Sequence, residues 1–414
     1  MASHRKPIMI PLVLGLALTG CASPVPFHRP GEGPPDAPVV ALGGAAPYVR
    51  PRPVATPRAP RPAPQRLYVA NARGIDMIDP VAGRAVGRLP GGASGIVPAW
   101  DPGGLWAVRH GALVPLRPPG APVRVEGVAG LYFTPDGRHA LVLAGRRVEF
   151  RDPRTMAPRA AVPLPCAPGH AAFSADGTSL IATCTQAARL VRVDLARRKA
   201  TGAARLPGRA RPGDLRLAPD GATLYVADPG AGGVRVLDAH RLTQRGLVRA
   251  PAARSLAVAP DARHLFVSGG STVTAIDLRT RRPSARWRLD PPPRAGVTPA
   301  GDRRTAAAPG GRTRSPAPGR VPSGPRDPAS APGPGSGAPG GAAPGGRESD
   351  APVLGGFSPD GRLLWLADPR GLVYAISTRT GRVQRRIWVG GRPAGVCVHP
   401  QAGRRSLGGT GQYR

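Results

Sequence analysis

The stretch "LYVANARGIDMIDPVAGRAVGRL", Leu67 to Leu89, decides the fold, because it reads as the later part of a β repeat whose first part is missing. Later copies are complete. In "LRLAPDGATLYVADPGAGGVRVLDA", Leu215 to Ala239, a short apolar strand ends in a Pro-Asp-Gly turn, and a second strand, "TLYVAD", follows. A third, "GGVRVLDA", alternates Val234 and Val236 with other residues, and an outer "RGLVRAP" closes the unit. Asp-Gly supplies the positive φ angles of a two-residue hairpin. Alternation with a period of two gives a strand with two usable faces, one toward each neighbouring sheet.

Aligned on the turn, the copies place Asp101, Asp136, Asp176, Asp220, Asp261, Asp360 and Gln401 in register, with spacings of 35, 40, 44, 41, 99 and 41. A four-stranded propeller blade repeats every 40 to 45 residues or so. The spacing of 35 is then a short blade, and 99 is an outlier. Within the outlier, residues 291–350 contain two valines, no other large aliphatic residue and no aromatic one. Such a segment cannot build a blade, and setting it aside returns the spacing to 39. It reads as a disordered insertion, with a frameshifted or diverged segment as the alternative.

The last unit, "AGVCVHPQAGRR", Ala394 to Arg405, is an inner strand and a turn with nothing after it. Joined to the stretch at Leu67 it completes one blade. With units starting near Ser94, Ala129, Gly169, Gly213, Arg254 and Val353 the count is seven. The expectation is an all-β, seven-bladed β-propeller closed by N- and C-terminal strands that share one blade, which removes the free sheet edge. An open array of sheets is the alternative.

Composition agrees with a mixture of order and disorder. In 414 residues there are 57 Gly and 55 Pro, enough for part of the chain to be of low complexity. The segment 21–65 has prolines every few residues and no apolar period, and reads as an extended tether on the order of 100 Å long at about 3.1 Å per residue. Before it, "MASHRKPIMIPLVLGLALTGC" has a basic start at Arg5 and Lys6 and an apolar run from Ile8 to Leu18, too short to span a bilayer and suited to an export signal. Its last four residues, Leu18 to Cys21, resemble the bacterial lipobox, which implies cleavage before Cys21 and lipid attachment to that thiol. A plain secretory signal is the other reading. The expected organisation is therefore signal 1–20, tether 21–65, blades in 66–290, insertion 291–350, last blade and closing strand 351–405, and tail 406–414.

The formal net charge of +34 is carried almost wholly by arginine, since Lys6 and Lys199 are the only lysines. A GC-rich codon bias is the simpler account of that skew, and selection for a polyanionic partner is the other. The basic residues are scattered, aromatics make up 4%, and no groove-reading or stacking motif is present, so nucleic acid is not expected as a partner.

"LYVAN" at Leu67, "PDGATLYVAD" at Pro219 and "FSPDGRLLWLAD" at Phe357 resemble the YVTN-type β-propeller repeat of bacterial surface and secreted proteins. The resemblance covers roughly residues 66–290 and 353–405, with departures at "AWDPGG" in the second unit and at the insertion. It implies a propeller, and its motif residues are turn formers and core-facing strand residues. Lactonases and quinoprotein-like enzymes share the architecture, so the function must be argued from the site.

In such a fold the site is expected at the mouth of the central channel. Six residues before each turn position stand Gly95, Gly130, His170, Asp214, Ser255, Leu354 and Gly395. Three consecutive blades thus present His170, Asp214 and Ser255, with Arg254 beside them. A nucleophile reading requires a base within hydrogen-bond reach, and adjacent blades are expected to hold these groups farther apart. A polar ligand-binding patch at the mouth is the preferred reading. No Gly-x-Ser-x-Gly, His-Glu-x-x-His, Cys-x-x-Cys or lysine-bearing phosphate loop is present, and Gly335, Gly337 and Gly340 form a Gly-x-Gly-x-x-Gly only by composition. No metal site or cofactor is expected. Cys166 and Cys184 lie at the same end of one blade, so a disulfide is expected, two buried thiols being the alternative. Cys397 reads as a small core residue.

These readings combine into a monomeric, non-catalytic lipoprotein on the extracytoplasmic face of the cell membrane, which binds an envelope protein or an anionic polymer. An exported hydrolase or lactonase using the channel mouth is the alternative. The insertion leaves on the same face as the trio and is expected to act as a mobile lid there.

Overall fold

The computed structural model describes residues 65–101, 103–289 and 351–400. The signal, the insertion 291–350 with its lid role, Cys21, the turn at Gln401, and the tether apart from Gln65 lie outside these residues. Twenty-eight strands form seven four-stranded antiparallel sheets, arranged as a seven-bladed β-propeller. One three-residue 3-10 turn, Pro229–Ala231, is the only helical element among the described residues. No helix there is long and apolar enough to cross a membrane.

Blade 1 is the composite. Its inner strand, Pro393–His399, pairs antiparallel with Arg66–Asn71, with Leu67 opposite Val398 and Val69 opposite Val396. Gly74–Asp79 and Arg84–Leu89 complete it. The inner strands of blades 2 to 7 are Gly95–Pro98, Val128–Phe133, His170–Phe173, Leu215–Leu217, Ala253–Val258 and Val353–Phe357. Their starts differ from the six-residue count in several blades, because bulges interrupt the pairing at Val128/Gly130, Ala253/Ser255 and Leu354/Phe357. In blade 5 the inner pairing has no bulge, and Asp214 sits just before the short strand Leu215–Leu217.

Alternation along the strands sends each blade's apolar residues to both neighbours, and the core divides into seven clusters, one at each blade interface. Leu215, Leu224 and Val226 of blade 5 pack on Ala172, Ile181 and Leu190 of blade 4. Tyr225, Val234 and Val236, from the opposite face of blade 5, pack on Leu256, Leu265 and Val267 of blade 6. The ring closes through blade 1, whose Leu67 and Val69 meet Trp365 of blade 7 and whose Tyr68 and Ala70 meet Leu105 and Ala107 of blade 2. Cys397 is buried in that last cluster.

The inner hairpins differ in detail from the two-residue loop expected from Asp-Gly. In blade 5 the Ala218 amide donates to Thr223 O at 2.8 Å and the Gly221 amide to Ala218 O at 3.0 Å, so four residues form the loop around a tight turn. Asp220 makes the longer loop possible, since its carboxylate accepts the Ala222 and Thr223 amides at 2.9 Å each. Gly221, at φ +68°, also has no room for a side chain: a Cβ there would lie 2.7 Å from Ala175 of the blade 4 turn.

Because each inner strand runs away from one face and the strands alternate, the two faces of the disc are chemically distinct. One face, the mouth face, gathers the starts of the inner strands, the loops between second and third strands, and the connectors between blades. The other, the turn face, gathers the inner hairpins and the hairpins between third and outer strands.

Candidate functional site at the channel mouth

The structure brings two of the three sequence-picked residues into contact. Asp214 is 5% exposed, and its Oδ1 accepts from Arg216 Nη1 at 2.5 Å. Its Oδ2 accepts the Leu256 amide of blade 6 at 2.8 Å and the Ser255 hydroxyl at 3.3 Å. Ser255 Oγ in turn accepts the Leu354 amide of blade 7 at 3.2 Å. The separation expected between neighbouring blades therefore does not hold for this pair.

The arrangement has a simple cause. An inner strand has no further strand on its channel side, so some of its amides lack ladder partners and must be satisfied by other groups. Asp214 and Ser255 satisfy such amides on the next blade. Tyr132 of blade 3 does the same for blade 4, its hydroxyl accepting the Ala171 amide at 2.9 Å. Burial pushes the Tyr132 phenol up to about 12, against the pull of that amide. Carbonyls are served from the second strands: Thr183 donates to Gly213 O at 2.8 Å and Ser268 to Pro352 O at 2.6 Å.

His170 stands apart. Its ring engages no hydrogen-bond partner among the described residues, and it is exposed at the mouth. The surrounding protein nevertheless crowds it and holds its imidazole below the ordinary value; Arg216 and Arg254 act in the same direction and Asp214 against it. Arg254 is half-buried beside Ser255. The mouth thus combines an imidazole held below its ordinary value, a guanidinium, and an acid whose two oxygens are already engaged. The Ser255 hydroxyl is held between the Asp214 carboxylate and the Leu354 amide, and the His170 ring makes no hydrogen bond to it.

The opposite part of the ring is small and apolar. Gly355, Gly356, Ala394, Gly395, Gly95 and Ile96 occupy the inner strands of blades 7, 1 and 2. The packing there is close: a Cβ on Gly355 would fall 2.2 Å from Val396 Cγ1.

Sequence reasoning missed Tyr132, Thr183 and Ser268, although the last two had a signal, a hydroxyl near the end of an otherwise apolar second strand ("LIATC", "LFVSG"). It also missed a cavity of 310 Å³ against the outer half of blade 3, lined by Glu149, Arg151, Pro158, Arg159, Ala160 and Ala161. The outer strand of the preceding blade 2 is only two residues long, Val123–Arg124. Glu149 there is clamped between Arg147 at 2.7 Å and Arg151 at 2.7 Å. Cys166 and Cys184 are joined by a disulfide with a Cα–Cα distance of 6.0 Å, inside the cluster between blades 3 and 4. Among the described residues no three His, Cys, Asp or Glu side chains are grouped so as to hold a metal ion.

No family model matches the sequence, and no curated protein matches it. Solved structures do. A functionally unknown protein from Desulfotomaculum acetoxidans DSM 771 aligns with a TM-score of 0.56 at 15% identity, over 81% of this chain and 99% of that one. A candidate 6-phosphogluconolactonase from Bacteroides uniformis ATCC 8492 gives 0.54, also at 15% identity and with the same coverage of 81% and 99%. The dihydro-heme d1 dehydrogenase NirN gives 0.51 at 15% identity, over 84% of this chain and 79% of that one. At that identity the shared property is the fold, and the chain is a seven-bladed β-propeller similar to these proteins in architecture.

Proposed function

We propose that the protein is a lipid-anchored β-propeller of the bacterial cell envelope, of the YVTN-repeat kind, which acts as a non-catalytic binding module through its mouth face. The observation that carries the non-catalytic part is the occupancy of Asp214: both oxygens are engaged by Arg216, Leu256 and Ser255, so Asp214 and Ser255 latch blades together while the His170 ring makes no hydrogen bond to either. The lipobox-like Leu18 to Cys21 supports the anchor. The first strand of the propeller, Arg66–Asn71, starts on the turn face.

Two measurements on the full-length protein test this reading. Cells fed an alkyne-tagged fatty acid should label the wild type and leave Cys21→Ala unlabelled and released from the membrane fraction; equal labelling of both overturns the anchor. The purified chain is then assayed on a panel of lactones and esters. Turnover that disappears in His170→Ala or Asp214→Asn would establish the hydrolase reading instead.

A further inference from the structure

The acids of this propeller are sorted by face. Of the seven exposed acidic residues among those described, six lie in the inner hairpins of the turn face: Asp101, Asp136, Asp176, Asp220, Asp261 and Asp360. Glu126, in the connector before blade 3, is the one exposed acid on the mouth face. The second set of hairpins adds Asp79, Asp152, Asp194, Asp238 and Asp277 to the turn face, where several pair with arginines, as in Arg159 with Asp152 and Arg245 with Asp238. These aspartates are there because hairpin amides need capping, as the bonds from Arg154 and Thr155 to Asp152 at 2.9 Å show.

The mouth face has its own loops between second and third strands, where Asp228 and Asp368 cap amides, but apart from Glu126 its acids among the described residues are interior. Asp76, Asp214, Asp228 and Asp368 are each at most 5% exposed, and each is held by one arginine: Arg88, Arg216, Arg235 and Arg370. Arginine is not sorted in this way. Arg73, Arg146, Arg209, Arg249 and Arg288 are all exposed on the mouth face, distributed over blades 1, 3, 4, 5 and 6. Among the described residues arginine projects from both faces, but on the turn face it is interleaved with six exposed carboxylates and on the mouth face with Glu126 alone. Among the described residues the mouth face therefore carries an excess of positive charge spread over most of the ring, with Glu126 as its one exposed acid.

From this segregation we infer that the mouth face docks an extended envelope polyanion with repeating phosphate or carboxylate groups. Guanidinium groups bind such oxyanions in bidentate fashion, and a charge distributed over several blades suits a chain that crosses the disc better than a small ligand held at one point. A bilayer surface fits less well. The exposed large apolar residues among those described are Val81, Val86, Leu247 and Trp388, scattered over four strands or turns, which gives no apolar belt to enter lipid. The inference rests on the binding-module reading and names the partner's class.

The test compares two charge-matched variants of the full chain carrying Cys21→Ala, so that lipid plays no part. One replaces Arg73, Arg146, Arg209, Arg249 and Arg288 by Gln; the other replaces Arg154, Arg263, Arg279, Arg379 and Arg382, all exposed on the turn face, by Gln. Binding to long-chain inorganic polyphosphate is measured across a salt series, with phosphatidylglycerol and phosphatidylcholine vesicles as the lipid arm, and thermal melts confirm folding. The mouth-face variant should lose affinity roughly tenfold or more with a shallower salt slope, and the turn-face variant about twofold. Equal losses would reduce the effect to net charge, and unchanged binding in both would place the polymer elsewhere; either overturns the inference. Stronger, mouth-dependent binding to phosphatidylglycerol than to polyphosphate would overturn it in favour of a bilayer. Absence of polyphosphate binding by the parent chain would also overturn it, while fatty-acid labelling and the substrate panel would still decide the broader reading separately.

Discussion

The Ser255 hydroxyl donates to Asp214 Oδ2 at 3.3 Å across the interface of blades 5 and 6 and accepts the Leu354 amide at 3.2 Å across the next. One buried side chain thus links three blades. Removing the charge of Asp214 leaves Arg216, whose side chain is 11% exposed, without its carboxylate, and breaking a buried pair from one side costs about 3 kcal/mol or more. Asp214→Asn should therefore lower the free energy of unfolding in urea by about 3 kcal/mol. Ser255→Ala, which loses two weaker bonds, should lower it by about 1 kcal/mol. Because the two share a bond, the double variant should cost measurably less than the sum; strict additivity would show that the latch is not coupled.

This latch also marks the limit of what the sequence discloses. The turn spacing and the strand alternation show seven blades and their closure, since they are local patterns repeated many times. His170, Asp214 and Ser255 are also found by counting, because the repeat fixes their height in the ring. What counting does not supply is the direction of each side chain. A bulge at Ala253/Ser255 shifts the register of the strand that bears Ser255, and the contact it makes with Asp214 joins residues 41 positions apart. The polarity of the two faces escapes notice for the opposite reason: it needs no contact at all, only the knowledge of which turns share a side.

The disulfide between Cys166 and Cys184 closes a loop that spans the connector and the inner hairpin of blade 4, with a sequence separation of 18. A loop of that size restricts the unfolded chain by about 3 kcal/mol in the loop-entropy model. Both sulfurs lie in the cluster between blades 3 and 4, so the paired substitution Cys166→Ala with Cys184→Ala should be less stable by about that amount. Differential scanning calorimetry of the oxidised wild type and the double variant checks it. An unchanged melting temperature would remove the bond from the stability account.

Gly355 sets the spacing at the closing interface. A Cβ there would lie 2.2 Å from Val396 Cγ1 and 2.4 Å from Val396 O, so the inner strands of blades 7 and 1 would have to separate. Gly355→Ala should cost about 1–3 kcal/mol by overpacking. Gly356→Ala, whose Cβ meets its nearest neighbour at 3.4 Å, should cost clearly less. The contrast between two adjacent glycines, read by urea unfolding, isolates the closure from general effects of glycine removal. Equal costs would show that the interface is not tightly packed.

Stability should also fall as the solution becomes mildly acidic, and the cause is His399. It is 3% exposed at the end of the closing strand, with its ring edge-on to Tyr68 at 6.1 Å between centroids. Burial, assisted by Arg117, lowers its imidazole from 6.5 to about 4. Since the folded state holds this proton more weakly than the unfolded chain does, stability is full above about pH 6.5 and declines as the pH drops toward 4, by up to about 3 kcal/mol from this residue. His170 and His139 are shifted in the same direction. The carboxylates of Asp152 and Asp176, lowered to about 2 by the hydrogen bonds that cap their turns, lose their contribution only below about pH 3.8, so the two effects separate. His399→Phe keeps a ring against Tyr68 and removes the proton site. Melting temperatures measured from pH 7 to 4.5 should decline less steeply in that variant than in the wild type, and parallel profiles would assign the acid sensitivity to other groups.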